Sequence, residues 1–391
     1  QEKSAPGVRL ANQWALRFVP AALLIAGLAW WLSGDVDRAV AVLVAATPCP
    51  LILAVPIAIV SGLSQAAKNG AIIKGGGVLE MLARTDTVLL DKTGTLTHGG
   101  PAISDINSAP GLSDDEVLQI AASVEQYSPH IVAKALVQEA KARGLALSTC
   151  SDIEEIAGHE IAATLNGAHI VVGQFKVEAP SWLRFSQPLM VAVTRNGELI
   201  GAIGLDDPIR AESKQMVSDL RAAGVQHIAL VTGDRDDTAQ DVANSVGITE
   251  IYSKVTAAGK LEITEAAKLK SKGSVIVVGD GINDAPALAL ADVGIAMGAS
   301  GTDVAIEAAD VALMNDNLER VADFILLSRT VIRRIKANIF LSLIYNVVGM
   351  ILGAFGLLSP IIAIIFQEAG CISVVFSSTL LLWARPKRLP A

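Results

Sequence analysis

The length and composition of the chain exclude an ordinary soluble single-domain protein. It has 391 residues, of which 52% are hydrophobic and only 18% charged, whereas soluble domains carry about 25% charged residues. The net charge of −8 argues against nucleic acid as the main partner, because phosphate binding needs a clustered basic surface. Cys49, Cys150 and Cys371 are too few and too scattered to predict a disulfide framework.

Uncharged stretches predict four membrane-spanning helices arranged in two pairs. Roughly 20 apolar residues cross a bilayer. The uncharged runs are residues 18–34, 39–67, 337–367 and 369–384. Gly356 and the turn Ser359-Pro360 split the third run, so one helix is expected to end near Leu358 and the next to start near Ile361 and run past Glu368. A buried core helix is the alternative interpretation of each run.

Basic residues flank these runs and predict their orientation. By the positive-inside rule, the flanks that carry lysine and arginine are cytoplasmic. The connections at residues 34–37 and 359–360 then face outward. Both chain termini and the insertion from about residue 65 to 335 are predicted to be cytoplasmic, and we expect the membrane to be the plasma membrane. The basic flanking residues are Arg9, Arg17, Lys68, Lys74, Arg333, Arg334, Lys336, Arg385, Lys387 and Arg388.

The second apolar run contains Thr47-Pro48-Cys49-Pro50. Two prolines remove backbone donors and free carbonyl groups, so we expect the helix to unwind at membrane depth, where such a break serves a cavity or an ion. Cys49 would present a soft sulfur ligand there, which favours copper(I), zinc and other soft or borderline cations over sodium, potassium or calcium. The alternative is a small buried hydrophobic residue in a proline kink.

Between the two helix pairs, short β-rich runs alternate with amphipathic segments, as in parallel βαβ units. The first three of five predicted strands lead directly into acidic, glycine-rich turns at residues 91–95, 232–234 and 279–284. Because ligands bind at the carboxyl ends of strands in an open α/β sheet, three such turns indicate one shared site. The predicted strands are residues 87–90, 227–231, 274–278, 293–296 and 310–313.

Asp91 is the predicted nucleophile of this site. A carboxylate that ends a strand and enters a tight turn can attack a phosphoryl group and become an aspartyl phosphate. The neighbouring Lys92 and a bound Mg²⁺ would neutralise the charge that develops on the transferred oxygens.

The stretch from about residue 100 to 204 predicts an inserted α+β domain. Residues 114–143 have the pattern of two helices broken at Tyr127-Ser128-Pro129. Two Asn-Gly pairs, at 166–167 and 196–197, predict tight hairpins. The hairpin strands are residues 162–165, 168–172, 190–195 and 198–203.

The run Asp91-Lys92-Thr93-Gly94-Thr95-Leu96-Thr97 resembles the phosphorylation motif of the P-type ATPases, and the turns at 232–234 and 279–284 resemble that family's other two signature turns. The resemblance implies a multi-domain fold: a four-helix transmembrane portion plus a cytoplasmic α/β haloacid dehalogenase-like (Rossmann-like) phosphorylation domain with an inserted α+β nucleotide-binding domain. The implied parts are a linker and first helix pair at 1–83, a phosphorylation domain at 84–99 and 205–331, a nucleotide-binding domain at 100–204 and a second helix pair at 332–391.

The resemblance also implies roles for single residues. Asp91 would accept the γ-phosphate of ATP, and Asp91, Asp280 and the main-chain carbonyl of Thr93 would hold Mg²⁺. Residues 207–210 resemble the family's hinge motif, in which Arg210 would act, although an exposed arginine paired with Asp206 or Asp207 is the alternative. The remaining implied residues are Thr232 and Lys260 at the phosphoryl oxygens and Gly233, Asp234 and Asp284 around the pocket.

The inserted domain resembles that of the heavy-metal (type IB) branch, which carries a Ser-x-His-Pro signature and a Gly-x-Gly turn. Ile131 stands where the signature has proline, and Glu160 stands where the turn has its second glycine. A carboxylate at that position would repel nucleotide phosphates, so these departures predict weakened or re-oriented ATP binding. A helix-terminus histidine is the alternative role for His130. The implied nucleotide residues are Glu125, His130, Gly158 and Gly173.

The Cys-Pro element resembles the signature of the metal-transporting branch. Tyr345-Asn346 resembles a pair found in copper pumps, whereas residues 367–371 resemble the His-Glu-Gly-Gly-Thr element of pumps proposed to move cobalt, iron or zinc. Glu368 is the only carboxylate in the last two predicted spans, and an intramembrane carboxylate indicates function. We therefore expect a mixed sulfur and oxygen site for a divalent ion, with copper(I) disfavoured and the metal left open. The candidate ligands are Cys49, Tyr345, Asn346, Gln367, Glu368 and Cys371.

Full pumps of this branch also contain upstream helices and an actuator domain with a Thr-Gly-Glu loop. The sequence begins at Gln1 and has no Thr-Gly-Glu and no Cys-x-x-Cys. We therefore expect a carboxyl-terminal portion of a pump, whose partners are the bilayer, the metal cation and the missing actuator and helices. Two alternatives stay open: a degenerate membrane-anchored nucleotide or metal sensor, and a membrane-tethered haloacid dehalogenase-like phosphatase.

Overall fold

A computed structural model of the chain describes residues 6–156, 160–174, 180–184, 189–281, 283–298, 303–315 and 317–383, with the backbone alone for residues 6–18 and 156. The chain divides into two compact units. One comprises Gln1–Leu96 and Ala211–Ala391, and the other comprises Thr97–Arg210.

Helices and strands make up most of the described part of the chain. The helices are α1 (Pro6–Ser33), α2 (Val36–Ala45), α3 (Cys49–Lys68), α4 (Gly76–Ala83), α5 (Asp114–Glu125), α6 (Ile131–Ala142), α7 (Ser213–Ala222), α8 (Asp236–Val246), α9 (Ala257–Lys270), α10 (Ala285–Leu290), α11 (Asp303–Ala308), α12 (Arg320–Ala354) and α13 (Pro360–Thr379). The strands are β1 (Ala71–Ile73), β2 (Thr85–Asp91), β3 (Ala102–Ser108), β4 (Ser151–Ile156), β5 (Glu160–Leu165), β6 (Ala168–Gln174), β7 (Leu189–Arg195), β8 (Glu198–Asp206), β9 (His227–Val231), β10 (Glu250–Tyr252), β11 (Ser274–Gly279), β12 (Val293–Met297) and β13 (Val311–Leu313).

Three helical stretches in the described part of the chain are long and apolar enough to cross a membrane. They are Val36–Lys68, Arg320–Ala354 and Pro360–Trp383, and a shorter apolar helix covers Val19–Ser33. The predicted count of four spans is therefore not confirmed. The basic flank at 385–388 lies outside the described residues, as do the side chains of Arg9 and Arg17.

The predicted break in the second apolar run is confirmed. Helix α2 ends at Ala45 and α3 begins at Cys49, so Thr47 and Pro48 lie between two separate helices. The prolines at positions 48 and 50 cannot donate to the helical hydrogen-bond ladder, which is why the ladder is interrupted here.

Helix α12 starts much earlier than the apolar run from residue 337 indicates. Its first half buries Val321, Phe324, Ile325 and Val331 and packs against α4 and α7. In its second half, Gly349 lies beside Ala45 of α2 and Phe366 of α13, and the helix as a whole also packs against α3. One uninterrupted helix thus joins the sheet-bearing part of the first unit to its apolar helices.

The first unit contains a seven-stranded sheet of order β1-β13-β12-β11-β2-β9-β10. All neighbours are parallel except β1 and β13. The three strands that lead into acidic turns, β9, β2 and β11, are adjacent at the centre, so their carboxyl ends meet at one edge. The five predicted strands are observed, with β13 starting at Val311 rather than Asp310.

The second unit is a six-stranded antiparallel sheet of order β3-β8-β7-β6-β5-β4, with α5 and α6 packed on it. Both predicted hairpins are confirmed. Asn166 and Gly167 have φ of 51° and 79°, and Asn196 and Gly197 have φ of 50° and 86°, which are the positive values that a tight hairpin turn requires. The predicted helix break also occurs, because α5 ends at Glu125 and α6 begins at Ile131.

Candidate functional site

Three aspartates lie together at the carboxyl edge of the seven-stranded sheet. Asp91 ends β2, Asp280 follows β11, and Asp284 precedes α10. One carboxylate oxygen of each lies within 4.8 Å of those of the other two. The sheet therefore brings together two of the three turns that the sequence singles out.

Lys260 lies between two of these carboxylates. Thr256 caps the start of α9 and accepts a hydrogen bond from Gly259, which places Lys260 in the first turns of the helix. Its ammonium donates to Asp91 Oδ1 at 2.5 Å and to Asp284 Oδ1 at 2.6 Å. The resemblance implies Lys260 at the phosphoryl oxygens and Asp284 at the pocket wall, but no pattern in the sequence indicates that the two side chains pair.

The charges of this group are strongly coupled. Burial, followed by repulsion from Asp284, raises the pKa of Asp91 to about 7, although Lys260 opposes the shift. Burial disfavours the charged form of Lys260, but the two carboxylates outweigh it and raise the pKa of this lysine. Lys260 is thus a fixed positive charge beside the candidate nucleophile.

The turn after Asp91 depends on a glycine. Gly94 has a φ of 71°, and a Cβ there would collide with the carboxylate of Asp280. Thr93 lies between these residues with a φ of −72° and a ψ of 128°. The close approach of the turn to Asp280 is consistent with a shared ligand, while the predicted role of the Thr93 carbonyl stays a prediction.

The second acidic turn contacts the residue after Asp91. Lys92 forms an ion pair with Asp234, whose backbone N–H donates to the Thr232 hydroxyl at 3.2 Å. Thr232 is buried, and its own N–H donates to the carbonyl of Tyr252 at 2.9 Å. A Cβ at Gly233 would lie 3.4 Å from the carbonyl oxygen of Val255, so this turn is closely packed. All three predicted turns therefore reach the same sheet edge.

The donor set of the aspartate cluster fits Mg²⁺. Magnesium prefers carboxylate oxygens and is commonly bound through one or two of them together with substrate phosphates. Asp91, Asp280 and Asp284 supply only oxygen donors. These residues would hold the ion next to the candidate nucleophile.

The second unit contains a cavity of about 130 Å³ at the predicted nucleotide residues. Apolar side chains such as Ile161 and Val172 form part of its wall, and Gly173 lies beside them. Gly158 lies outside the described residues. The polar lining residues are Glu125, Ser128, His130, Glu155, Glu160 and Gln174.

This cavity is acidic. Burial, with a further contribution from Glu155, raises the pKa of Glu125 to about 7. Ser128 donates to Glu155 at 2.6 Å. His130 has two roles, because it lines the cavity and its Nδ1 accepts a hydrogen bond from the N–H of Val132 at the start of α6.

The predicted hinge residues are joined within the second unit. Asp207 accepts hydrogen bonds from the Thr97 hydroxyl at 2.6 Å and from the N–H of Gly99 at 2.9 Å. Arg210 is buried and donates to the carbonyl of Thr97 at 2.9 Å. The alternative of an exposed arginine at position 210 is therefore wrong.

The helix break in the apolar part of the first unit is held by two amides. Gln367 Nε2 donates to the Thr47 carbonyl at 2.5 Å, and Asn346 Nδ2 approaches the same oxygen at 3.4 Å. Both side chains are buried, with 4% and 1% of their surface exposed. Their amide oxygens have no hydrogen-bond partner in the described part of the chain. Both residues are among the predicted ion ligands, but no pattern in the sequence indicates their contact with the freed Thr47 carbonyl.

The other candidate ion ligands are less uniformly placed. Cys371, one helical turn after Gln367, is buried, whereas Cys49 is exposed. Tyr345 packs on Phe366 with ring centroids 4.7 Å apart. Glu368 is exposed, on a different side of α13 from Gln367. The structure thus brings Asn346 and Gln367 to the break, while Glu368 is exposed among the residues that the structure describes.

Comparison with known proteins agrees with this geometry. Residues 85–292 of the 391-residue chain match the haloacid dehalogenase-like hydrolase family. A zinc-exporting P-type ATPase of Mycobacterium marinum is 37% identical over 98% of this chain and 54% of its own length. A manganese-exporting P-type ATPase of Mycobacterium tuberculosis is 37% identical over 98% of this chain and 55% of its own length. The chain spans about half the length of the curated relatives it matches.

Solved structures give the same result. A zinc-transporting PIB-type ATPase in the E2.Pi state is similar with a TM-score of 0.77 and 32% identity, over 93% of this chain and 62% of that chain. The catalytic domain of the CPx-ATPase CopB-B is similar with a TM-score of 0.54 and 32% identity, over 67% of this chain and 98% of that chain. The chain therefore belongs to the haloacid dehalogenase-like hydrolase family and, within it, to the heavy-metal P-type ATPases.

Proposed function

We propose that this chain provides the phosphorylation, nucleotide-binding and ion-binding parts of an ATP-driven pump that exports a divalent transition-metal cation. The observation that carries the proposal is the pairing of Lys260 with both Asp91 and Asp284 beside Asp280 at the sheet edge. A simple structural ion pair would need one carboxylate, whereas here one ammonium pairs with two, and a third carboxylate, that of Asp280, lies within 4.8 Å of both.

The proposed reaction is phosphoryl transfer to Asp91. One carboxylate oxygen of Asp91 attacks the γ-phosphorus of ATP and forms an acyl phosphate, while the bond to the β,γ-bridging oxygen breaks and ADP leaves. Lys260 stabilises the ionised form of Asp91 before the transfer and the phosphoryl oxygens during it. Mg²⁺, when bound by the aspartates, would neutralise further negative charge on the phosphoryl group.

The cavity of the second unit is the proposed ATP site. Its apolar wall suits a purine base, and the adenine amino group can donate to a carboxylate such as that of Glu125. Glu155 and Glu160 line the same cavity, so we expect the nucleotide phosphates to avoid this acidic wall. The departures at positions 131 and 160 thus favour weak or re-oriented binding over tight binding.

The helix break is the proposed site of the transported ion. Cys49 and Cys371 offer sulfur, and the amides of Asn346 and Gln367 offer oxygen atoms that have no partner in the described residues. A mixed set of sulfur and oxygen donors favours a borderline divalent ion over copper(I). Glu368 would join this set from the exposed side of α13, and Tyr345 would support it through its packing.

The proposed setting is a plasma membrane, with both chain termini, the seven-stranded sheet and the second unit on the cytoplasmic side. The proposed partners are the lipid bilayer, the transported cation, and an actuator domain and upstream helices of the kind found in complete pumps of this family.

Labelling with [γ-³²P]ATP and Mg²⁺ in the presence of Zn²⁺ tests the proposal. We expect an acid-stable, hydroxylamine-sensitive phosphate that is absent in Asp91→Asn and falls strongly in Cys49→Ser. Label that persists in Asp91→Asn would contradict the proposed nucleophile. Hydrolysis of small phosphate esters without any effect of Cys49→Ser would favour a membrane-tethered phosphatase instead.

A further inference from the structure

One arginine of α12 joins three separate elements of the first unit. Arg329 Nε donates to the carbonyl of Ala83 at 3.1 Å, and its Nη2 donates to the carbonyl of Thr85 at 3.0 Å. Its Nη1 donates to the carbonyl of Ala223. Ala83 ends α4, Ala223 caps α7, and Thr85 begins β2, the strand that ends in Asp91.

These three partners are all main-chain carbonyls. The last carbonyls of a helix have no partner within the helix, and a cation there is favoured by the helix dipole. The planar guanidinium spreads its N–H groups over three nitrogen atoms and so reaches three separated acceptors, whereas the three N–H groups of a lysine share one nitrogen. Arg329 therefore fixes backbone positions rather than balancing a side-chain charge.

Strand β2, which Arg329 contacts at Thr85, can transmit a displacement from that end of the strand to Asp91. β2 pairs with β11 from Thr85 to Leu90, with one register shift after Thr85, and with β9 from Thr87 to Asp91. At about 3.3 Å per residue, its seven residues span roughly 20 Å between Thr85 and Asp91. A shift at the Thr85 end would move a laterally supported strand whose other end is the candidate nucleophile.

The far end of α12 reaches the helix break. Asn346 lies 17 residues after Arg329, which corresponds to about 25 Å along a helix, and its amide approaches the Thr47 carbonyl. Residues 329–346 contain no proline and no glycine, the usual causes of a kink. One stiff helical segment thus contacts β2 through Arg329 at one end and the proposed ion site through Asn346 at the other.

We propose that Arg329 is the positioning residue through which this chain couples its ion site to Asp91, because it ties α12 to the base of β2. This inference rests on the proposed function. Coupling between two sites is reciprocal, so binding at either site changes the affinity of the other by the same factor.

The experiment measures that factor in the full chain in detergent. Zn²⁺ is the ion probe, and Mg²⁺ with beryllium fluoride mimics the aspartyl phosphate at Asp91. The dissociation constant of Zn²⁺ is measured with and without the mimic, and we expect the two values to differ about tenfold in the wild-type chain. In Arg329→Gln we expect the ratio to fall to within about twofold of one, while each ligand alone binds with affinity close to wild type.

Two further variants separate positioning from general damage. Arg333→Gln removes an exposed arginine from the same helix and should keep the wild-type ratio. Arg329→Lys keeps the charge but offers one nitrogen for three acceptors, so we expect an intermediate ratio. If Arg329→Gln does not fold, the ratio in Arg329→Lys tests the inference.

If both Arg329 variants keep the wild-type ratio of Zn²⁺ dissociation constants, the inference is wrong. It is also wrong if Asp91 of the wild-type chain is labelled but beryllium fluoride does not change the affinity for Zn²⁺. Failure of Asp91 labelling in the wild-type chain would instead overturn the proposed function.

Discussion

The ammonium of Lys260 lies 2.5 Å from an oxygen of Asp91 and 2.6 Å from an oxygen of Asp284, so one buried cation serves two carboxylates. Neither carboxylate could be ionised cheaply beside the other without it, because like charges at this range disfavour ionisation. Lys260 thereby sets how readily Asp91 acts as a nucleophile.

Replacing Lys260 by glutamine should therefore abolish most phosphorylation of Asp91. We expect the initial rate of ³²P incorporation from ATP to fall by about 100-fold or more, since a preorganised charge at the reacting oxygens is lost. The removal of one partner from a buried ionic group should also lower the free energy of unfolding by about 3 kcal/mol. Lys268→Gln is the matched control, because Lys268 lies on the same helix and pairs with Asp292 at a partly exposed position. Equal labelling rates in the two variants would contradict the role of Lys260.

Gly94→Ala should damage the proposed magnesium site through a single methyl group. The new Cβ would collide with the carboxylate of Asp280, and the φ of 71° is one that alanine adopts only at a cost of about 1 kcal/mol or more. We expect the Mg²⁺ concentration that gives half-maximal phosphorylation to rise at least about tenfold. Gly111→Ala is the control, since Gly111 also has a positive φ, of 93°, but nothing lies within 4 Å of the added Cβ. That variant should be less stable and should keep the wild-type Mg²⁺ requirement.

Local patterns in the sequence predict much of this architecture. Residues 227–231 coincide with β9, and the hairpins at Asn166-Gly167 and Asn196-Gly197 follow from turn chemistry that needs no tertiary contact. The break at Thr47 follows in the same way from the prolines beside it. Each of these features is fixed by the covalent properties of a few consecutive residues.

Contacts between segments that are distant in the sequence cannot be predicted from such local patterns. Arg329 binds three main-chain carbonyls, and a carbonyl is present in every residue, so no sequence pattern marks its partners. The pairing of Lys260 with Asp284 depends on how α9 and α10 pack at the sheet edge. The early start of α12 was hidden because its first half carries charged residues among the apolar ones that it buries.

The buried Glu125 should make the second unit less stable as the pH rises. Its pKa is about 7 in the folded protein against an ordinary value of 4.5, so the folded state binds the proton more tightly. Stability from this group is therefore fully present below about pH 4.5 and is lost as the pH rises through 7. Glu125→Gln should raise the free energy of unfolding of the second unit by on the order of 2 kcal/mol at pH 8 and change it little at pH 4.5.

Hydrogen exchange of the amides in α5 and β5, compared between variant and wild type at each pH, measures this effect. Glu154→Gln removes an exposed carboxylate from β4 and should leave the protection of these amides unchanged at both pH values. Equal protection of Glu125→Gln and wild type at pH 8 would show that burial does not disfavour the charged form of Glu125.

Gln367 should determine ion binding through the amide group that holds the Thr47 carbonyl. In Gln367→Leu that carbonyl keeps only the long 3.4 Å approach of Asn346, so the unwound residues directly before Cys49 lose their anchor. We expect the dissociation constant of Zn²⁺, measured in detergent, to rise about 10- to 100-fold, as when supporting hydrogen bonds of a metal site are removed. Ser373→Ala is the control, because the Ser373 hydroxyl donates at 2.7 Å only to the carbonyl of Ala369 in its own helix. Gln367→Glu then separates two roles: it retains oxygen ligands but lacks the N–H donor. Weak Zn²⁺ binding in this variant indicates that Gln367 positions the backbone, whereas binding as tight as wild type indicates that its oxygen is the ligand.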